Sequence, residues 1–226
     1  MTLLPGTAPQ IVLVRHGETE WSLGGRHTGR TDIPLTARGE EQARTVGRVL
    51  AGRSFGLVLS SPRRRALDTA LLAGYGDAVE VDDDLQEWDY GAYEGLTSTQ
   101  ISESFGEPWS LWKNGVRLDG SGRGEEAADL LRRNEAIIRR AHRTLNAGAD
   151  VLLFAHGHLL RTLTATWLGL PVSGGELLAL DTASISVLGF EHGTQVVSLW
   201  NRTPWSESEA GAESASESGA EPAAAE

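Results

Sequence analysis

Cysteine is absent from the 226-residue sequence. This excludes disulfides, thiol catalysis and thiolate metal sites, but it leaves open whether the compartment is reducing or oxidising. Long apolar runs are also missing, and nothing approaches the ~20 residues that a membrane-spanning helix needs. Residues 1–10 carry no basic segment and only a short apolar stretch, so they do not read as a secretory signal. On these absences the expected compartment is the cytoplasm, with no membrane partner. Positive charge is in short supply as well. The net charge is −11, and six glutamates fall in residues 206–226, which hold no Lys or Arg. The remainder is only mildly acidic, which argues against nucleic-acid binding through an extended basic surface. The run Arg63-Arg64-Arg65 therefore reads as a local feature, with Arg63 and Arg64 solvated or ion-paired.

The 40% hydrophobic content is that of a globular chain, and the length suits one sizeable domain over residues 1–205. Residues 206–226 consist of Ser, Glu, Ala, Gly and one Pro, with no large apolar side chain, and are expected to form a disordered acidic tail. No internal repeat is apparent. Strands are expected over 10–15, 56–60, 78–82 and 150–155, alternating with helices over 37–51, 62–73, 125–146 and 158–168. That alternation predicts a three-layer α/β/α fold, a mostly parallel sheet covered by helices on both faces. Residues 184–190 and 195–200 flank Glu191-His192-Gly193-Thr194 and should add an antiparallel hairpin at one side of the sheet. Residues 96–124, with Gly115, Gly120, Gly122 and Gly124, look like a lid-like insertion over the mouth of a site.

The apolar run Ile11-Val12-Leu13-Val14 leads straight into Arg15-His16-Gly17-Glu18-Thr19. An Arg-His pair then sits at the C-terminal lip of a buried strand, where open α/β sheets bind ligands. The imidazole is a candidate nucleophile and the guanidinium a candidate phosphate clamp. Three further pieces follow in order. A strand at 55–59 runs into Ser60-Ser61-Pro62-Arg63-Arg64-Arg65-Ala66, an acidic stretch leads to Leu85-Gln86-Glu87-Trp88-Asp89-Tyr90-Gly91, and residues 151–154 end in Ala155-His156-Gly157-His158.

Ser61 suits a helix N-cap and Pro62 the first helical position, which would place Arg65 in a first turn whose dipole favours anions. Glu87 is a candidate proton donor and base, with Trp88 and Tyr90 supplying partial desolvation. Asp82, Asp83, Asp84 and Asp89 read as a solvated acidic loop. His156 and His158 raise the question of a metal, but no His/Asp cluster of suitable spacing accompanies them, so none is expected. His27, His142 and His192 match no motif and are expected in surface or turn roles, while Trp109 and Trp112 could wall a substrate.

In this order the four motifs resemble the histidine phosphatase superfamily, the phosphoglycerate-mutase-like enzymes, over roughly residues 10–202. Trp21-Ser22, Thr28-Gly29, Val81-Asp82-Asp83-Asp84-Leu85 and Pro108-Trp109 are similar to its branch of bacterial acid phosphatases and sedoheptulose-bisphosphatase-like members. The resemblance implies a phosphoglycerate-mutase-like fold and a phosphomonoesterase for small phosphorylated metabolites that uses neither cofactor nor metal. It assigns His16 as the phosphorylated nucleophile, Arg15, Arg65 and His156 as holders of the phosphoryl group, and Glu87 as the acid. Ser22, Thr28, Gly29, Tyr90 and Gly157 become substrate-binding positions, although the family often has Asn in place of Ser22. Many relatives carry another residue in place of His158.

Three rivals remain. A mutase is disfavoured because the Lys that such enzymes place after Tyr-Gly-x-x-x-Gly-Leu is replaced near Thr97-Ser98. The insertion between Glu87 and His156 is also shorter and has no clear arginine-rich, carboxylate-binding portion. A sugar bisphosphatase would need a second phosphate site, for which Arg117 and Arg123 are the candidates. A noncatalytic phosphoprotein-binding module would not need both a nucleophile and a proton donor. The physiological substrate, a homodimeric state and the tail's role are left open by the sequence.

Overall fold

The computed structural model describes residues 8–116 and 124–204; Arg117, Arg123 and the acidic tail lie outside them. In chain order the main elements are β1 (Ile11–Arg15), α1 (Glu20–Leu23), α2 (Ala37–Leu50), β2 (Leu57–Ser60), α3 (Arg64–Ala70), β3 (Val79–Val81), α4 (Ser98–Phe105), α5 (Leu111–Asn114), α6 (Ala127–Asn146), β4 (Val151–Ala155), α7 (Gly157–Trp167), β5 (Ile185–Glu191) and β6 (Thr194–Arg202). Among the described residues six strands form one sheet in the order β3-β2-β4-β1-β5-β6. The first four strands run parallel, and β5 and β6 add the expected antiparallel pair beside β1.

Successive side chains on β1 point to opposite faces, and both faces are covered. Ile11 and Leu13 pack with Ile137 and Ala141 of α6 and Leu160, Leu163 and Trp167 of α7. Val12 and Val14 pack on the other side with Val46 and Leu50 of α2 and Ala70 of α3. A strand buried on both faces needs the continuous apolar run seen in the sequence. The hairpin closes through His192 and Gly193, at φ of 50° and 83°. Positive φ at both central residues matches the twist of the flanking strands.

Register positions the site. Arg15 pairs with Ala155 across β1 and β4, and Ser60 pairs with Phe154 across β2 and β4. Three adjacent parallel strands therefore end at one level, and the next residues are His16, His156 and Ser61. The N–H of His16 donates to the Ala155 carbonyl at 2.9 Å, and that of Ser61 to the Phe154 carbonyl at 3.0 Å.

Two boundaries differ from expectation. Helix α3 begins at Arg64 with Arg63 as its cap residue, so Ser61 is not the N-cap. The Ser61 hydroxyl instead accepts from the Arg63 N–H and contacts His156 Nε2 at 2.8 Å. After Ala70 the helix loosens into a π-type stretch, Leu71–Tyr75, that ends around Gly74 at φ 90°. Helix α6 starts at Ala127 because Glu125 is drawn away from it. The Glu125 N–H donates to Asp89, its carbonyl accepts from the Trp88 indole, and its carboxylate pairs with Arg133 at 2.7 Å.

Candidate active site

A cavity of about 340 Å³ opens at the C-terminal ends of the parallel strands. Arg15, His16, Glu87, Gly157, Ser22, Thr28 and Tyr90, far apart in sequence, all line it. His16 is 5% exposed. Its Nδ1 lies 2.8 Å from the Gly17 carbonyl oxygen, and a carbonyl can only accept, so Nδ1 carries the proton and Nε2 presents a lone pair. Burial, with the Arg65 and Arg15 guanidiniums close by, holds the ring well below the usual imidazole pKa. Nε2 is therefore unprotonated at neutral pH and faces the cavity as a candidate nucleophile.

Arg15 supplies the fork. Nη1 donates to the Leu180 carbonyl at 2.5 Å, while the buried Nε has no partner. Burial lowers the pKa of this guanidinium, yet Arg stays charged in proteins. A buried, charged donor without an acceptor is costly, and an anion entering the cavity would relieve that cost. Gly157 opens α7 beneath it, where a Cβ would lie 3.4 Å from Arg15 Cζ and Nε.

Glu87 is 8% exposed and is fixed by three backbone amides. Oε1 accepts from Trp88 N at 2.9 Å and Leu159 N at 2.8 Å, and Oε2 accepts from His158 N at 3.0 Å. Two of these donors belong to the first turn of α7, where a carboxylate meets the positive end of the helix. Of about four lone-pair sites on a carboxylate, three are taken. The fourth, on Oε2, is uncommitted.

Arg65 and His156 do not line the cavity; they lie behind it, both fully buried. The Arg65 Nε donates to His156 Nδ1 at 3.1 Å, so the neutral His156 ring carries its proton on Nε2 and gives it to Ser61 Oγ. The remaining Arg65 nitrogens donate to the carbonyls of Thr31, Thr28 and Gly29 at 3.0, 2.8 and 3.1 Å. Four of its five N–H bonds are thus spent on protein, whereas Arg15 donates one to the Leu180 carbonyl. The His156 and His16 rings stand 5.2 Å apart, and burial with Arg65 keeps His156 neutral.

Other expectations are met unevenly. Ser22 faces the cavity, but its hydroxyl donates to the Thr19 carbonyl and accepts the Thr19 N–H, capping α1. The Thr28 hydroxyl donates to the Arg26 carbonyl. Gly29 is a correction: it does not line this cavity, and its N–H donates to the Glu94 carboxylate at 2.9 and 3.0 Å. A Cβ there would lie 2.6 Å from the Trp88 carbonyl oxygen, so close packing and not phosphate contact requires the glycine. Asp82 and Asp89 are ion-paired to Arg140 and Arg30, both at 2.6 Å, and are not a solvated loop. Arg64 pairs with Asp68, and Arg63 donates to Gln86.

The sequence reading missed part of the wall. His27 is not a surface residue: it is 8% exposed, bonded through Nδ1 to the Leu96 carbonyl, and ringed by Tyr90, Trp109 and His158. His158 Nδ1 lies 2.6 Å from the Tyr90 hydroxyl. Burial raises Tyr90 well above the usual phenol range and lowers His158 well below the imidazole value, so both groups are neutral. Trp109 and Trp112 do form the apolar wall, and the Arg161 guanidinium stacks over Trp112 at 4.5 Å. Among the described residues, no group of three or more His, Asp or Glu side chains is placed to hold a metal ion. No helix among them is long and apolar enough to cross a membrane.

The family model that matches residues 11–203 is the histidine phosphatase superfamily, branch 1. The chain belongs to this family. An acid phosphatase of Mycobacterium tuberculosis is 42% identical over 197 residues, covering 86% of this chain and 93% of that protein. A sedoheptulose 1,7-bisphosphatase of Saccharomyces cerevisiae is 39% identical over 197 residues, covering 75% and 71%. A solved Mycobacterium tuberculosis structure matches with a TM-score of 0.79 at 41% identity, over 87% of this chain and 98% of that one. This histidine phosphatase is accordingly a phosphoric monoester hydrolase, and a phosphohistidine intermediate is characteristic of the family.

Proposed function

We propose that His16 Nε2 attacks the phosphorus of a small phosphomonoester while the Arg15 fork holds two of its oxygens. The P–O bond to the leaving group breaks, and the departing oxygen takes its electron pair and the proton from Glu87 Oε2. The phosphorylated ring keeps its Nδ1–H on the Gly17 carbonyl, which stabilises the cationic imidazole. Arg65 adds positive field from behind the ring, and the neutral His156, held between Arg65 and Ser61, keeps that guanidinium in place. Glu87, now a carboxylate, draws a proton from water as that water attacks phosphorus. The P–N bond breaks, and its electron pair returns to Nε2.

The observation that carries this reading is the convergence of an unprotonated His16 Nε2, a guanidinium whose buried Nε lacks a partner and a carboxylate with one open lone pair on the same cavity. The aromatic wall supports a leaving group with apolar faces and hydroxyls, as a sugar has. A sugar bisphosphate is the second reading, favoured by the lining cations Arg26 and Arg161 and by the name of the yeast relative. The test is phosphate release from sugar phosphates, sugar bisphosphates, phosphoglycerates and phosphotyrosine compared side by side. Turnover of the sugar esters with negligible interconversion of 2- and 3-phosphoglycerate is expected. Rapid isomerisation with little phosphate release would overturn the hydrolase reading in favour of a mutase.

A further inference from the structure

Glu94 belongs to none of the groups given a chemical role above, yet it sits at the start of a continuous chain of hydrogen bonds that ends beside the nucleophile. Its carboxylate accepts the N–H of Gly29 through both oxygens, at 3.0 and 2.9 Å, and the N–H of Thr31 at 3.0 Å. Those two amides lie in the short loop whose carbonyls, at Thr28, Gly29 and Thr31, hold the two terminal nitrogens of Arg65. The third nitrogen of Arg65 holds His156. The same loop is tied to the segment after Glu94 by the His27 N–H on the Leu96 carbonyl, the Gly95 N–H on the His27 carbonyl, and a bridge between Arg26 and Thr97.

A loop that offers three carbonyls to one guanidinium must keep its peptide planes turned inward. Carbonyls facing in leave the amides of the same peptides facing out, and those amides need an acceptor of their own. Glu94 is that acceptor for the Thr28–Gly29 peptide, whose carbonyl is in the cage; it also holds the Thr31 amide of the intervening Arg30–Thr31 peptide, and its negative charge makes these bonds charge-assisted. We infer that Glu94 is a positioning residue for the phosphoryl-transfer site: it fixes the carbonyl cage of Arg65 and, through Arg65, the tautomer and placement of His156. This inference rests on the phosphohistidine reading of the site. It adds a residue that touches no reacting atom and explains why Gly29 is required, since a Cβ there would lie 2.8 Å from Glu94 Oε2.

The test is a double-mutant cycle on the full chain, assayed with p-nitrophenyl phosphate and accompanied by thermal unfolding. Glu94→Ala is expected to lower kcat by about 100-fold, the scale of a 1 Å misplacement of a catalytic array. Glu94→Gln keeps one oxygen able to accept both amides and should stay within about tenfold of the parent. In an Arg65→Lys background, Glu94→Ala should add less than about threefold, because the cage it maintains no longer has its occupant. Effects that multiply instead would overturn the inference. Should Glu94→Ala fail to fold, Glu94→Ser, too short to reach both amides, replaces it in the same cycle, with the same expected non-additivity. The 15N resonance of His156 Nδ1 gives a readout independent of turnover. It should move in Glu94→Ala, or in Glu94→Ser where that variant replaces it, as the Arg65 bond loosens; an unchanged resonance overturns the inference. A parent enzyme with no phosphatase activity would count against the proposed function alone, and the resonance would still decide the role of Glu94.

Discussion

Replacing Arg15 with Lys separates shape from charge at the phosphate clamp. The positive charge stays, but five N–H bonds in one plane become three on a tetrahedral ammonium. In the parent, one Arg15 N–H is spent on the Leu180 carbonyl and the buried Nε is unpartnered, which leaves an intact edge of the fork for two phosphoryl oxygens. An ammonium that keeps the Leu180 bond cannot present two parallel donors. The loss amounts to one or two charge-assisted hydrogen bonds at about 1.5–3 kcal/mol each. Taking about 3 kcal/mol, kcat/KM for p-nitrophenyl phosphate should fall by about 100-fold. Thermal unfolding of the ligand-free protein should change little, because the substitution removes an unsatisfied donor along with the contact. Affinity for orthovanadate, measured by calorimetry, should weaken alongside kcat/KM. A loss in kcat/KM below about threefold would refute the assignment of the bidentate clamp to Arg15. A large drop in unfolding temperature would show that the guanidinium serves the fold instead.

Two other predictions follow from buried groups. Glu87→Gln keeps one oxygen for the amides of Trp88 and Leu159, loses the acceptor of the His158 amide, and has no carboxylic proton to give. It should slow alkyl phosphates far more than an activated aryl phosphate, and equal slowing of both classes would remove Glu87 as the acid. His16, His156 and His158 are all held neutral in the folded protein, with pKa values well below 6.5. The unfolded chain therefore binds more protons below that pH, and stability present above pH 6.5 is lost as pH falls toward the folded pKa values. The limiting slope is about 1.4 kcal/mol per pH unit for each ring, or about 4 for the three. Urea unfolding between pH 7 and 5 should show a marked fall that lessens in His158→Gln, and a flat profile would contradict the neutral assignment.

Much of this was legible in the sequence because the candidate catalytic groups sit where strands end. The unbroken apolar run of β1 and that of β4 each announce a buried strand, and His16 and His156 are the first residues past them. Parallel pairing in register then brings the two rings together without further information. What local pattern could not supply were bonds between distant segments. Ser61 followed by Pro62 has the form of a helix start, but its hydroxyl is claimed by His156 from another strand. Arg65 reads as a phosphate fork until three carbonyls of residues 28–31 are seen to hold it. His27 looked peripheral because the aromatic partners that bury it come from residues 90, 109 and 158. Glu94, next to a glycine in a polar stretch, carries no periodic signal, and its importance depends on where the Gly29 amide points.

The central claim is that phosphate passes through a covalent bond to His16 Nε2, and rapid-quench trapping with a 32P-labelled substrate tests it most directly. Labelled protein should be acid-labile and alkali-stable, map to the peptide containing His16, and vanish in His16→Ala together with turnover. Full turnover in His16→Ala, or label on a different residue, would contradict the account.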